Sequence, residues 1–189
     1  MNAVECGLAE MDILRRQVEK IDPTACERMV DELQAARRIF VGGAGRSLLC
    51  MRMFAMRLMQ TNHVAYMVGE VCTPSIGEGD LLVVSSGKGE TQVTLEVARK
   101  ARAAGARVAL ITANPAGSIA GLADAVLAIP PADPVAEGDA AVVAFMKRNL
   151  PGNYYETASI IATDGLIARI MEREGLTHDS VMRNHANLE

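Results

Sequence analysis

The chain has 189 residues, half of them hydrophobic, with no Trp, three Tyr and three Phe, so it can bury one sizeable and largely aliphatic core. Its 23 acidic and 19 basic residues are interspersed and leave a net charge of −4; with no basic patch and few aromatic rings for stacking bases, a nucleic-acid partner is not expected. No apolar window is long enough for a membrane span, the N-terminus lacks the basic-then-apolar order of a signal peptide, and Cys6, Cys26, Cys50 and Cys72 form no C-x-x-C pair, so free thiols and a cytoplasmic location are expected.

The chain opens with a helical pattern in which Leu8, Met11, Leu14, Val18 and Ile21 recur at three- and four-residue steps. Asp22-Pro23 reads as the N-cap and first position of a second helix ending near Ala36. Together these helices form a segment over residues 1–37, ahead of the main domain. From residue 38, short apolar runs alternate with helical ones. Strands are expected at Ile39–Val41, Val64–Val68, Leu81–Val84, Arg107–Ile111 and Ala125–Ile129, and helices at Arg46–Gln60 and Thr91–Ala104. Nearly continuous apolar runs suit strands covered on both faces, and the alternation predicts a parallel sheet with right-handed crossovers. A proline-rich break follows at Pro130–Pro134, then a short helix at Ala140–Lys147, a turn at Pro151-Gly152 and a long helix from Tyr154 to about Glu174, closed by Gly175. The Met cluster at Met51, Met53, Met56 and Met59 reads as helix packing or a subunit interface.

Two turns carry the chemistry. The first strand runs into Gly42-Gly43-Ala44-Gly45-Arg46-Ser47 and then a helix. Glycines let the backbone approach a ligand closely, and a helix start offers free N–H groups to an anion. Ser47 adds a hydroxyl that either meets the ligand or caps the helix. No dinucleotide fingerprint is formed, because its third glycine falls on Leu48; Gly87-Lys88-Gly89 likewise lacks the G-K-[ST] ending of a Walker loop. The third strand ends in a turn of the same kind, Ser85-Ser86-Gly87-Lys88-Gly89-Glu90-Thr91, again before a helix. Both turns fall at the C-terminal edge of the sheet, where ligands bind in open parallel folds. Gly45, Ser47, Ser86 and Thr91 are therefore candidate phosphate-binding residues, with Lys88 a possible direct ion pair.

With both loops in view, the chain resembles the 6-phospho-3-hexuloisomerase family of sugar isomerase (SIS) domain proteins. The resemblance rests on GAGRS (Gly43 to Ser47), FAMRLM (Phe54 to Met59), VGE (Val68 to Glu70) with Thr73-Pro74, and the SGxGET loop (Ser86 to Thr91). Glu156, Asp164 and the closing HANLE (His185 to Glu189) continue it. It implies one domain over residues 1–189, with an α/β three-layer core over 38–130, a five-stranded parallel sheet between helices, and C-terminal helices and tail over 131–189. It also implies a homotetramer without metal or organic cofactor. The implied reaction interconverts D-arabino-3-hexulose 6-phosphate and fructose 6-phosphate, the second step of the ribulose monophosphate route. Two positions depart from the family pattern: Lys88 replaces a serine, and Gln60 replaces a histidine.

Moving a carbonyl between neighbouring carbons needs a proton to leave one carbon and return to the next through an enediol, work that one carboxylate can do. The resemblance puts Glu156 in that role; read alone, it is an acid favoured at a helix start. His185 is the candidate second proton shuttle, reaching the site across a subunit contact, or else a surface histidine of the tail. Arg46 either neutralises phosphate or holds a carboxylate. Glu90 either caps its helix or contacts sugar hydroxyls, Glu70 lines the site from a neighbouring loop, and Asp164 is structural. His63 and His178 have no metal-like spacing. The competing readings are an isomerase of another sugar phosphate and a non-catalytic phosphosugar sensor. Such sensors usually carry a helix-turn-helix domain, and nothing before residue 38 is long or basic enough for one.

Overall fold

The alternation of apolar runs is realised in the computed structural model, which describes residues 2–132 and 153–188. Its strands are β1 (Ile39–Gly43), β2 (Ala65–Met67), β3 (Leu81–Ser85), β4 (Arg107–Thr112) and β5 (Ala125–Ala128). They form one five-stranded, fully parallel sheet in the order β2-β1-β3-β4-β5. The helices are α1 (Ala3–Val18), α2 (Pro23–Ala35), α3 (Gly45–Gln60), α4 (Gln92–Ala103), α5 (Asn153–Glu174) and the short α6 (His178–Met182), with a 3-10 turn at Ala120–Leu122. The helix expected at Ala140–Lys147 and the turn at Pro151-Gly152 lie outside the described residues.

Successive strand side chains point to opposite faces, and both faces are covered. Ile39, Val41, Leu81, Val83, Ala109 and Ile111 face one layer built from α1, α2, α3 and α5. Phe40, Leu82, Val84, Val108 and Leu110 face the other, built from α4 and the 3-10 turn. The result is a three-layer α/β sandwich. The first two helices do not stand ahead of it but belong to its core: Met29, Val30 and Leu33 of α2 have no exposed surface. Asp22 caps α2 as expected, accepting the Thr24 N–H at 2.9 Å. Gly175, at φ +63°, closes α5, and the Leu176 N–H reaches back to the Met171 carbonyl.

The orientation of α1 differs from the periodic reading. Ala9, Ile13, Leu14 and Gln17 face the core, whereas Leu8 and Met11 point outward. Buried Gln17 donates its amide Nε2 to the Pro130 carbonyl at 2.6 Å, which fixes this rotation of the helix, while its Oε1 has no hydrogen-bond partner among the described residues. At the N-terminal edge of the sheet, fully buried Asp80 accepts hydrogen bonds from Arg37, Arg38 and the Gly77 N–H at 2.6–3.1 Å. Burial alone would raise its pKa, but these donors outweigh burial and hold the carboxyl at about 2. Among the described residues, no helix is long and apolar enough to cross a membrane.

Candidate active site

β1 crosses to β2 on one side and β3 crosses to β4 on the other, so the strand order reverses between β1 and β3. The pairing Gly43↔Ser85 sets the ends of these two strands side by side. The two glycine-rich turns therefore open next to each other at the point where an open parallel sheet leaves a crevice.

Both helices that leave these turns have unoccupied caps. The N-cap of α3 is Ala44, which has no polar side chain to offer, so Ser47 is not the cap; it sits buried in the first turn. Gly45, at φ +55°, begins that helix, a conformation L side chains rarely adopt. The N-cap of α4 is Thr91, whose side chain makes no capping hydrogen bond; its Oγ1 instead lies 2.9 Å from Ser86 Oγ. Two sets of backbone N–H groups, two positive helix ends and the hydroxyls of Ser47, Ser86 and Thr91 thus belong to one edge.

The second turn is held against the loop after β4. A Cβ on Gly117 would fall 2.8 Å from the Gly89 carbonyl oxygen, so the two backbones touch only because both residues are glycine. Asn114 Nδ2 donates to the Lys88 carbonyl at 3.1 Å, while the Lys88 side chain is exposed. Both carboxylate oxygens of Glu90 are taken by Ser118, through its N–H at 2.6 Å and its hydroxyl at 2.8 and 3.0 Å. Those bonds, the side-chain hydroxyl's first, lower the Glu90 pKa. Glu90 thus neither caps its own helix nor has a free carboxylate; it clasps the neighbouring loop. Glu70 follows β2 at the same sheet edge, exposed and paired with Arg52.

The N-terminus of α5 meets this edge. Tyr155 is buried, with its hydroxyl 2.8 Å from Ser85 Oγ and 2.8 Å from the Ile111 carbonyl. Burial, partly offset by the Ser85 and Ser159 hydrogen bonds, pushes its phenol up to about 12. The next residue, Glu156, is 13% exposed, and Arg46 Nε lies 3.5 Å from its Oε2. That oxygen is buried and has no hydrogen-bond partner among the described residues. Oε2 therefore keeps unused hydrogen-bond acceptor capacity, and the Arg46 guanidinium beside it is a counter-charge for the ionised carboxylate that a general base must be. Cys50, whose Sγ lies 3.6 Å from the Glu156 carbonyl, has its thiol raised by burial and by the Glu156 charge.

His185 is not near Glu156 in the same chain. Asn184 Nδ2 donates to the Gln60 carbonyl at 3.0 Å and to Asn62 Oδ1 at 2.7 Å, which docks the tail at the C-terminal end of α3. Arg46 and Glu156 lie at the other end of that helix, which at 16 residues is about 24 Å long. Gln60 is buried at the tail end, with its side chain accepting from Arg57, away from the two turns. Asp164 lies in mid-α5, exposed, and lines a cleft that Arg57 and Thr61 also line. Tyr155 escaped notice in the sequence, where a tyrosine before an apolar helix reads as core; only its buried hydroxyl between two strand ends marks it out.

Residues 32–149 match the SIS domain family. A Methylomonas aminofaciens 3-hexulose-6-phosphate isomerase is 39% identical over 165 residues, covering 86% of this chain and 87% of the relative. The Bacillus subtilis 3-hexulose-6-phosphate isomerase is 35% identical over 189 residues, covering the whole of both chains. A solved structure from Methanococcus jannaschii, with an inferred function of 3-hexulose-6-phosphate isomerase, superposes with a TM-score of 0.81 at 29% identity, covering 95% of this chain and 99% of that one.

Proposed function

The chain belongs to the SIS domain family, and from that premise we propose that it isomerises D-arabino-3-hexulose 6-phosphate to fructose 6-phosphate. The observation that carries this reading is the pairing of two uncapped helix starts with a buried, unbonded carboxylate oxygen at one sheet edge. The names borne by the relatives, aligned over nearly full length, supply the sugar.

In this reading Gly45, Ser47, Ser86 and Thr91 hold the phosphate with their amides and hydroxyls, and Lys88 adds a cation where a further hydroxyl is the family habit. Glu156 removes the proton from C2 of the 3-ketose, giving a C2–C3 enediol, and returns it to C3; a proton moves from O2 to O3 as the carbonyl shifts. Arg46, close to the carboxylate, supports the charge that builds on the enediolate oxygen. Glu70 and Glu90 hold the loops that frame the sugar through their partners Arg52 and Ser118.

His185 enters from a neighbouring subunit. Leu49, Met53 and Met56 form an exposed apolar stripe along α3, centred on the middle of the helix. Packed against itself about a two-fold axis, this stripe sets the C-terminal end of one α3 beside the N-terminal end of the other. His185 of the partner subunit then approaches Glu156. Val4, Leu8 and Met11 form a second exposed stripe on α1, and two separate self-pairing faces are what a homotetramer of dihedral symmetry requires. On this reading the protein is a single-domain cytoplasmic enzyme of the ribulose monophosphate route, whose partners are its substrate and further copies of itself.

The test is turnover by the purified protein of 3-hexulose 6-phosphate beside a panel of other phosphosugars. Fastest turnover of the hexulose is expected. Turnover of a different sugar alone would refute the substrate, and tight binding without any turnover would refute the enzyme.

A further inference from the structure

Tyr155 joins two parts of the site that the sequence keeps far apart. Its hydroxyl has one proton, donated to the Ile111 carbonyl, so in the contact with Ser85 it is Ser85 that donates and Tyr155 that accepts. The same Ile111 carbonyl accepts the N–H of Ser86 at 3.0 Å. One acceptor on β4 therefore holds both the first residue of the phosphate loop and the residue before Glu156. The ring completes the link: a Cβ on Gly87 would sit 3.2 Å from ring Cδ1, so the ring lies close over the loop at a position that leaves little room for any side chain.

The start of α5 is braced from behind as well. Ser159 Oγ donates to the Tyr155 carbonyl at 2.7 Å, and Cys50 Sγ approaches the Glu156 carbonyl. With the phenol pushed up to about 12, Tyr155 keeps its proton, and so its bond to Ile111, throughout the range in which a carboxylate base works. A phenylalanine would fill the same space against Gly87, so packing alone does not account for the hydroxyl and its two bonds.

Building on the reading of the phosphate turns and of Glu156 given above, we infer that Tyr155 is a positioning residue that registers the Glu156 carboxylate against the phosphate loop. A phosphosugar gripped at its phosphate then presents its reacting carbons at a set distance from the base. Movement of Ser86 or Gly87 on phosphate binding passes to α5 through the shared carbonyl and the ring contact.

Tyr155→Phe keeps the ring and removes both hydroxyl bonds. With 3-hexulose 6-phosphate, kcat should fall about ten- to hundred-fold, the scale expected of a base displaced by up to an ångström. KM and the inhibition constant of inorganic phosphate should stay within about two-fold, because no phosphate ligand is removed. Ser85→Ala should lower kcat less, and adding it to Tyr155→Phe should cost nothing more, since both act through one bond. An unchanged kcat in Tyr155→Phe overturns the inference, as does a parallel loss of kcat and phosphate affinity, which would mark general damage. A second measurement does not depend on turnover. Saturating inorganic phosphate should slow hydrogen exchange of the backbone amides of residues 155–159 in the wild type but not in Tyr155→Phe. If this protection appears while the hexulose is not turned over, the substrate is wrong and the positioning link stands. If the wild type turns over the hexulose but phosphate leaves these amides unaffected, the link itself is refuted.

Discussion

Replacing Glu156 by Gln removes a proton acceptor while keeping the size and shape of the side chain. The carboxylate is mostly buried, its Oε2 accepts no hydrogen bond among the described residues, and Arg46 Nε at 3.5 Å is beyond good hydrogen-bond distance. The fold therefore draws little from this carboxylate, and the variant should melt with the wild type. A positioned base contributes about 10²–10⁴-fold to a proton transfer. Here one group performs both transfers, so the loss belongs at the upper end, about 10⁴-fold in kcat or about 5 kcal/mol of barrier. KM should change by less than about three-fold, because the phosphate is held on the turns before α3 and α4 and not on α5. Glu156→Asp withdraws the carboxylate by one C–C bond, about 1.5 Å, and should cost about 10²-fold. The assay couples fructose 6-phosphate formation to a dehydrogenase, with solvent deuterium uptake at C3 of the product followed by NMR. A Gln variant within ten-fold of wild-type kcat, or one that still exchanges deuterium at C3, would show that the proton is moved by another group.

The Asp80 carboxyl, lowered from 3.8 to about 2, contributes stability that is complete above pH 3.8 and lost as pH falls through about 2. Asp80→Asn should remove about 2 kcal/mol at pH 7, shifting Tm down by about 4–8 °C and flattening the acid limb of the stability curve; calorimetry at several pH values tests both effects. Lys88 is exposed on the phosphate loop, so Lys88→Ala should raise KM about two- to five-fold at low salt, less at high salt, and leave kcat alone. A KM that does not depend on this residue or on ionic strength would remove Lys88 from the phosphate site. Separately inactive Glu156→Gln and His185→Ala proteins, unfolded and refolded together, should recover about one quarter of wild-type activity, since each site then draws an intact Glu156 and an intact His185 with a probability of one half each. No recovery, with hybrids demonstrated by native mass spectrometry, would refute the two-subunit site.

The features legible in the sequence are those whose signal is local. A strand covered on both faces is a short unbroken apolar run, and β1, β3 and β4 all begin where such runs begin. A turn that must approach an anion needs glycines and small hydroxyls next to a helix start, which is how both phosphate loops stood out. The rotation of α1 was not legible, because that helix carries two usable stripes and periodicity counts apolar residues without saying which stripe meets its own core. The core side includes Gln17, a residue that only its distant acceptor, the Pro130 carbonyl, makes acceptable in the interior. Glu90 misled for a similar reason. Its partner Ser118 lies 28 residues further on, across a loop contact that depends on two glycines touching.

The same distinction separates grip from chemistry within the site. The residues proposed to hold the phosphate belong to two strand-to-helix turns that the sheet register sets side by side once β1 pairs with β3. Glu156 comes instead from α5, next to Tyr155, which lies 70 residues beyond Ser85 and whose hydroxyl joins that helix to two strand ends. The histidine proposed to assist it follows Asn184, which is tethered to the far end of α3, so in the proposed assembly it serves the site of another subunit. A change in the turns should therefore appear in KM, whereas a change at Tyr155, at Glu156 or in the subunit contact along α3 should appear in kcat. A substitution along the exposed Leu49, Met53 and Met56 stripe that weakened substrate binding but left kcat untouched would contradict this division, because in the proposed assembly the stripe acts through the subunit it pairs with.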